Sequence, residues 1–175
     1  MNKKTRNILI AIVAGLVIGS CIFMFIISPP KVKEGNREMP EATSETGEIT
    51  NGVIVEQKFI NTTEDIKELA IVFSRHYDLG ENVDMIIELL DGSNILTSTS
   101  INCDDIEAEH RTYVKPSKTI SGFVGKELTL KIYTSSSAGT GLALKMNSND
   151  KNSSFVFGSE TVKGTLCFSI TGKEE

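Results

Sequence analysis

Tryptophan is absent from this 175-residue chain, tyrosine occurs three times and histidine twice. Each scarcity excludes something. Without an indole, the strongest flat surface for stacking on a sugar ring or a base is missing. With only His76 and His110, no H-E-x-x-H zinc site can be written, and neither a G-x-S-x-G elbow nor a phosphate-binding P-loop is present. Three cysteines make no C-x-x-C pair and no Cys/His cluster at metal-ligand spacing. Basic residues are outnumbered, 18 against 23 acidic, for a formal charge of −5. A surplus of Lys and Arg is what displaces counterions from a phosphate backbone, so nucleic acid is excluded as a partner. No catalytic constellation and no resident cofactor is expected.

What the chain does have is one long apolar run. Ile8 to Ile27 reads ILIAIVAGLVIGSCIFMFII, with no charge and no proline. Twenty helical residues at about 1.5 Å each span roughly 30 Å, the depth of a bilayer's hydrocarbon core. Residues 8–28 are therefore expected to be a transmembrane anchor in contact with lipid. Lys3, Lys4 and Arg6 precede the run, which favours residues 1–7 as a cytoplasmic tail and the C-terminal part as extracytoplasmic. Two other readings stay open. One is a cleaved signal peptide, although the run is longer than an ordinary signal core and ends in Ser28-Pro29-Pro30. The other is a lipoprotein signal ending at Cys21, which would leave IFMFII exposed at the mature end. Ala11, Gly15 and Gly19 share one helix face at four-residue spacing. Small residues so placed allow close helix packing, hence a homodimer or a membrane-protein partner.

Pro29 to Gly47 is rich in Pro, Glu, Lys, Ser and Thr, so 29–47 is expected to be a flexible tether. Setting aside Lys3, Lys4 and Arg6, fifteen basic residues remain against twenty-three acidic ones, a balance of −8. Residues 48–175 read as one acidic extracytoplasmic domain. Its pattern is short alternating runs between turn residues. GVIVEQKFI (52–60) puts Val53, Val55, Gln57 and Phe59 on one face. LAIVFSRHY (69–77) begins almost wholly apolar, as a central strand would. VDMIIELL (83–90) and ILTSTSI (95–101) flank Asp91-Gly92-Ser93-Asn94, a hairpin signal. Cys103–Glu107 suggests a helical turn, RTYVKP (111–116) a short strand, and SGFVGKE a glycine-turned corner. LTLKIYT (128–134) is expected to pair with GLALKMN (141–147), and SFVF (154–157) with TLCFSI (165–170), closing the sheet. Some nine strands without a long amphipathic helix predict an all-β fold, an antiparallel sandwich of jelly-roll kind, with a small closed barrel as the alternative. Cys103 and Cys167 either pair as a disulfide or remain small buried thiols.

The stretches EQKFINTTEDIKELAIVFSRHYDLGENVDMIIELLDGSNILTSTSIN, KELTLKIYTSSSAGTGLALKMN and GTLCFSITG carry a resemblance. Over roughly Asn51 to Gly172 the order of strands and turns resembles carbohydrate-binding-module-like jelly-roll domains of bacterial polysaccharide-assembly and cell-surface membrane proteins. The resemblance implies a jelly roll held outside the membrane and a polysaccharide partner. The missing Trp departs from it, so no binding residue carries over.

Arg75-His76-Tyr77-Asp78 is the most site-like cluster, at a strand end entering a loop. Arg can bind bidentately, Tyr can stack and Asp can accept from hydroxyls. The plainer reading is a polar strand exit with Arg75 paired to a carboxylate. His110 sits among Glu107, Glu109 and Arg111 as a solvated edge. A structural calcium would draw on Asp78, Glu81 and Asp84 or on the Asn149-Asp150-Asn152 loop, none at diagnostic spacing. Thr165-Leu166-Cys167 suggests a sortase-like cysteine, but no Arg follows it. Asn61 and Asn152 open N-x-S/T triplets, which matter only in a eukaryotic secretory pathway. The function expected is a membrane-anchored polysaccharide-binding module; the alternative is a non-catalytic assembly subunit.

Overall fold

Period-two apolar alternation builds two antiparallel sheets whose inner faces share one core. The computed structural model describes residues 37–78 and 82–172. The anchor with Ala11, Gly15, Gly19 and Cys21, the tether before Arg37, and Glu81 lie outside the described residues. Among the described residues no helix is long and apolar enough to cross a membrane.

The first sheet contains β1 (Ser44–Glu48), β4 (Glu68–Arg75), β7 (Arg111–Val114), β10 (Leu142–Asn147), β13 (Thr165–Leu166) and β14 (Phe168–Thr171). Its order is β1-β10-β4-β14, with β7 also pairing β4 and β13 pairing β10. The second sheet runs β12-β11-β2-β9-β5-β6, from β12 (Glu160–Lys163), β11 (Ser154–Phe157), β2 (Ile54–Ile60), β9 (Glu127–Thr134), β5 (Asp84–Asp91) and β6 (Asn94–Asn102). A small pair, β3 (Asp65–Ile66) with β8 (Ile120–Ser121), closes one corner.

Leu69, Ile71, Phe73, Leu142, Leu144, Phe168 and Ile170 of the first sheet are buried against Val55, Met85, Ile87, Leu89, Leu128, Leu130 and Ile132 of the second. Phe59 and Phe168 meet edge to face between the sheets, centroids 5.2 Å apart. A buried polar pair crosses between the sheets. Gln57, 2 % exposed, accepts from Leu166 N–H at 2.7 Å and donates to the Thr165 hydroxyl at 2.8 Å. A strand of one sheet is thereby clasped to a strand of the other. The hairpin at Asp91–Asn94 forms as its sequence dictates, with Gly92 at φ 60°.

Three expectations are corrected. The tether does not extend through Gly47, because Ser44–Glu48 pairs with β10 and Arg37 bridges Ile170. β1 brings no large apolar side chain; it is held by backbone bonds and by the Thr46 hydroxyl, which accepts from Leu144 N–H at 3.0 Å. Leu142–Asn147 does not pair back onto Glu127–Thr134. The 135–141 loop crosses to the first sheet, and Gly141, at φ 64°, passes so close to the Tyr77 carbonyl that a Cβ would lie 2.3 Å from it. Likewise Ser154–Phe157 pairs with β12 and β2, while β13 and β14 cross over at Gly164, φ 131°. Sheets pack about 10 Å apart, a gap that a short Gly/Ser loop spans.

Replacing Gln57 with Ala is expected to cost about 3 kcal/mol, since it orphans the buried Leu166 N–H and opens a void. Urea unfolding checks it, with the exposed neighbour Lys58→Ala expected to stay within roughly 0.5 kcal/mol.

Candidate functional site

Side chains that alternate away from the core line the outer face of the first sheet. Glu68 and Ala70 point outward from β4, Arg111 and Tyr113 from β7, and Ser169 and Thr171 from β14. Register sets them side by side, with Ala70 opposite Tyr113 on one flank and Ser169 on the other. The small Ala70 leaves a hollow between larger neighbours. Arg37, Glu38 and Met39 strap its rim, enclosing a groove of about 330 Å³. Tyr113 is 45 % exposed there, and Arg111 is exposed. Glu68 is buried, with Lys115 Nζ at 3.7 Å.

Arg37 fixes the strap. Its backbone carbonyl accepts from Ile170 N–H at 3.1 Å. Its guanidinium lies 4.1 Å from the Phe168 ring centroid and donates to the Thr165 hydroxyl at 3.1 Å. Burial lowers its pKa, and the charge of Asp150 opposes that shift.

The cluster singled out by sequence, Arg75-His76-Tyr77-Asp78, lies at the far end of β4, and its members turn to different partners. Arg75 donates to the carbonyls of Cys103 and Ile106, both at 2.8 Å, and lies 3.9 Å from Asp78. His76 Nε2 meets Glu45 at 3.0 Å. The Tyr77 hydroxyl donates to Glu48 at 2.5 Å, and that bond raises its pKa. The same Glu48 carboxylate accepts from Gly141 N–H at 3.0 Å. These contacts tie the end of β4 to β1, to the 139–141 crossing and to the turn Cys103–Asp105. Beside them Lys145 bonds Glu109 at 2.8 Å and Glu45 at 3.2 Å, both of which raise its pKa. Glu45 is held below the usual carboxylate range by the nearby Ser74 hydroxyl and by its bonds to Lys145 and His76.

The three tyrosines do not form one platform. Tyr133 lies on the second sheet, bonded to Glu88 at 3.2 Å, Tyr113 lies on β7 of the first, and Tyr77 lies in the bend after β4. His110 lies at the surface, 3.5 Å from Glu107. Among the described residues no three His, Cys, Asp or Glu side chains gather as metal ligands. Asp150 accepts instead from the backbone of Asn152 at 3.0 Å and of Ser153 at 3.3 Å, and Asp84 from Ser100 at 3.0 Å. Asn61 is buried and bonds Thr63 through both ends of its amide, which closes that triplet to modification. Cys103 and Cys167 are unpaired and buried. Burial pushes each thiol up to about 11, so neither supplies a thiolate near neutral pH.

The groove was missed in the sequence reading because its residues come from four separate stretches. One signal was available: in RTYVKP, Arg111, Tyr113 and Lys115 fall on one face at period two. No family model and no curated protein matches the chain.

The two thiols set an alkaline limit on stability. In the unfolded chain they ionise near 9, whereas the folded chain holds both protons to about 11. Across that window the folded state binds more protons, so stability falls as pH rises. Unfolding midpoints measured from pH 8 to 11 are expected to decline, and to decline less steeply in Cys103→Ala and Cys167→Ala.

Proposed function

We propose that this chain is a non-catalytic binding module: a jelly-roll-like sandwich held on the outer side of a cell membrane by residues 8–28, taking surface polysaccharide in the groove around Tyr113. The observation that carries the reading is Tyr113 itself, exposed across the Ala70 floor with Arg111, Glu68, Ser169 and Thr171 beside it. A phenol ring offers an apolar face to sugar C–H groups, while carboxylate, guanidinium and hydroxyls offer donors and acceptors to sugar hydroxyls. An antiparallel sheet with a solvated outer face is a rigid support for such a set. The apolar run at 8–28 and the acidic balance of the remainder support an anchored module facing away from anionic lipid.

A second reading is a structural subunit that binds other membrane or cell-surface proteins. The separation of the three tyrosines favours it, because a long glycan platform needs several rings in line.

Retention of the full-length protein on immobilised bacterial surface polysaccharides and on peptidoglycan separates the two. Saturable retention is expected, reduced roughly tenfold, or about 1.4 kcal/mol, by Tyr113→Ala. Tyr77→Ala, which removes the bond to Glu48, is expected to lower stability and leave retention unchanged. Retention on none of the polymers would overturn the glycan reading, and retention indifferent to Tyr113 would overturn the groove.

A further inference from the structure

Sheet edges carry unpaired N–H and C=O groups, and proteins ordinarily blunt them by shortness, charge, bulges or a cover. Most of the edges here are treated in this way. β12 has four residues, among them Glu160 and Lys163. β1 is short, carries Glu45 and Glu48, and is broken by a register shift. β7 begins at Arg111 and is followed by Lys115-Pro116. β14 is bridged by Arg37. β6 differs. It runs nine residues, NILTSTSIN, without charge or proline, and among the described residues only β5 pairs with it.

Its hydrogen-bond alternation can be read from its end. Cys103 N–H donates to Val83 O at 2.7 Å. In an antiparallel ladder every second residue faces the partner strand. Ile101, Thr99 and Thr97, opposite Met85, Ile87 and Leu89, therefore direct their backbone groups to β5. Ser98, Ser100 and Asn102 direct theirs to the free side. The register shift near Leu89 and Leu90 confines the regular stretch to Thr97–Asn102.

This stretch is symmetric about Thr99. Reading outward, Ser98 mirrors Ser100, and Thr97 mirrors Ile101, both β-branched. We propose that β6 is a dimerisation edge, at which two copies of this chain pair antiparallel through Thr97–Ile101 about a two-fold axis at Thr99 and join two six-stranded sheets into one of twelve. Ser98 of each copy then exchanges backbone bonds with Ser100 of the other. Threonine meets isoleucine on the inner face, and serine meets serine on the outer. A two-fold contact sets a patch against itself, so any charge within it would sit near its own like. β6 has none, and its near-palindrome fits a second copy better than an unrelated peptide, which would require no symmetry. Ile95, 52 % exposed, and half-buried Leu96 flank the paired segment with apolar surface.

The full-length chain in detergent micelles tests this, in a Cys21→Ala background so that the apolar run contributes no thiol. Thr99→Cys places two thiols at the axis, where facing Cα atoms stand about 4.5–5.5 Å apart, within disulfide reach. Mild oxidation is expected to yield a covalent dimer, and Thr161→Cys on β12 is expected to yield none. Ser100→Pro removes an N–H that β5 does not use. In analytical ultracentrifugation it is expected to weaken self-association by roughly tenfold or more, with the circular dichroism spectrum unchanged. Should that variant misfold, Ser100→Lys sets two like charges about the axis and is expected to weaken association similarly. A monomeric parent protein, failure of Thr99→Cys to crosslink, or a dimer indifferent to the substitutions at Ser100 would each overturn the proposal.

Discussion

The Gln57 amide is the constraint on which the arrangement of the two sheets turns. Apolar contact between sheets is non-directional and would tolerate many relative slides. Two hydrogen bonds from one buried amide, to Leu166 N–H and to the Thr165 hydroxyl, tolerate one. They act where the last strand changes partners, with β13 on β10 and β14 on β4, so the clasp also sets the register of the sheet's closing segment. Leaving either buried group unpaired costs more than the bond contributes when made, and such groups therefore specify a structure more sharply than they stabilise it. Arg37 donates to the same hydroxyl, with its guanidinium lying over Phe168. The groove's strap and the Gln57 clasp thus share an atom.

Much of this fold was legible in the sequence, because alternation of apolar residues is imposed directly by the strand. Val55, Gln57 and Phe59 face inward together, as do Met85, Ile87 and Leu89, and the Asp-Gly hairpin stands where those two residue types demand it. Which strand pairs with which was less legible. Glu127–Thr134 and Leu142–Asn147 look like a hairpin along the chain, yet both need burial on the same side of their sheets, and crossing between layers supplies it. β1 was not legible at all. Its five residues, SETGE, have the composition of a tether and are ordered by a neighbour's backbone. The candidate groove shares that difficulty, since Arg37, Glu68, Tyr113 and Ser169 become neighbours only through long-range pairing.

The cluster Arg75-His76-Tyr77-Asp78 shows how a site-like string can be spent on architecture. A strand that ends between three other elements needs directional groups to fasten each of them, and Arg, His and Tyr are the side chains with that reach. The same residue types that recognise a ligand also recognise loose carbonyls and carboxylates of the protein itself. Tyr113 differs in lining a groove floored by the Ala70 methyl group.

Arg37 and Ile170, near opposite ends of the described chain, are bridged partners. The chain therefore enters and leaves the described domain side by side at one edge of the first sheet. A pull on the leaving end would meet the bond from Lys67 N–H to the Thr171 carbonyl first, and then that bridge and the cation seated on Phe168. All of these lie at the first sheet, so strands of the second, such as β9 and β2, would be spared until they gave way.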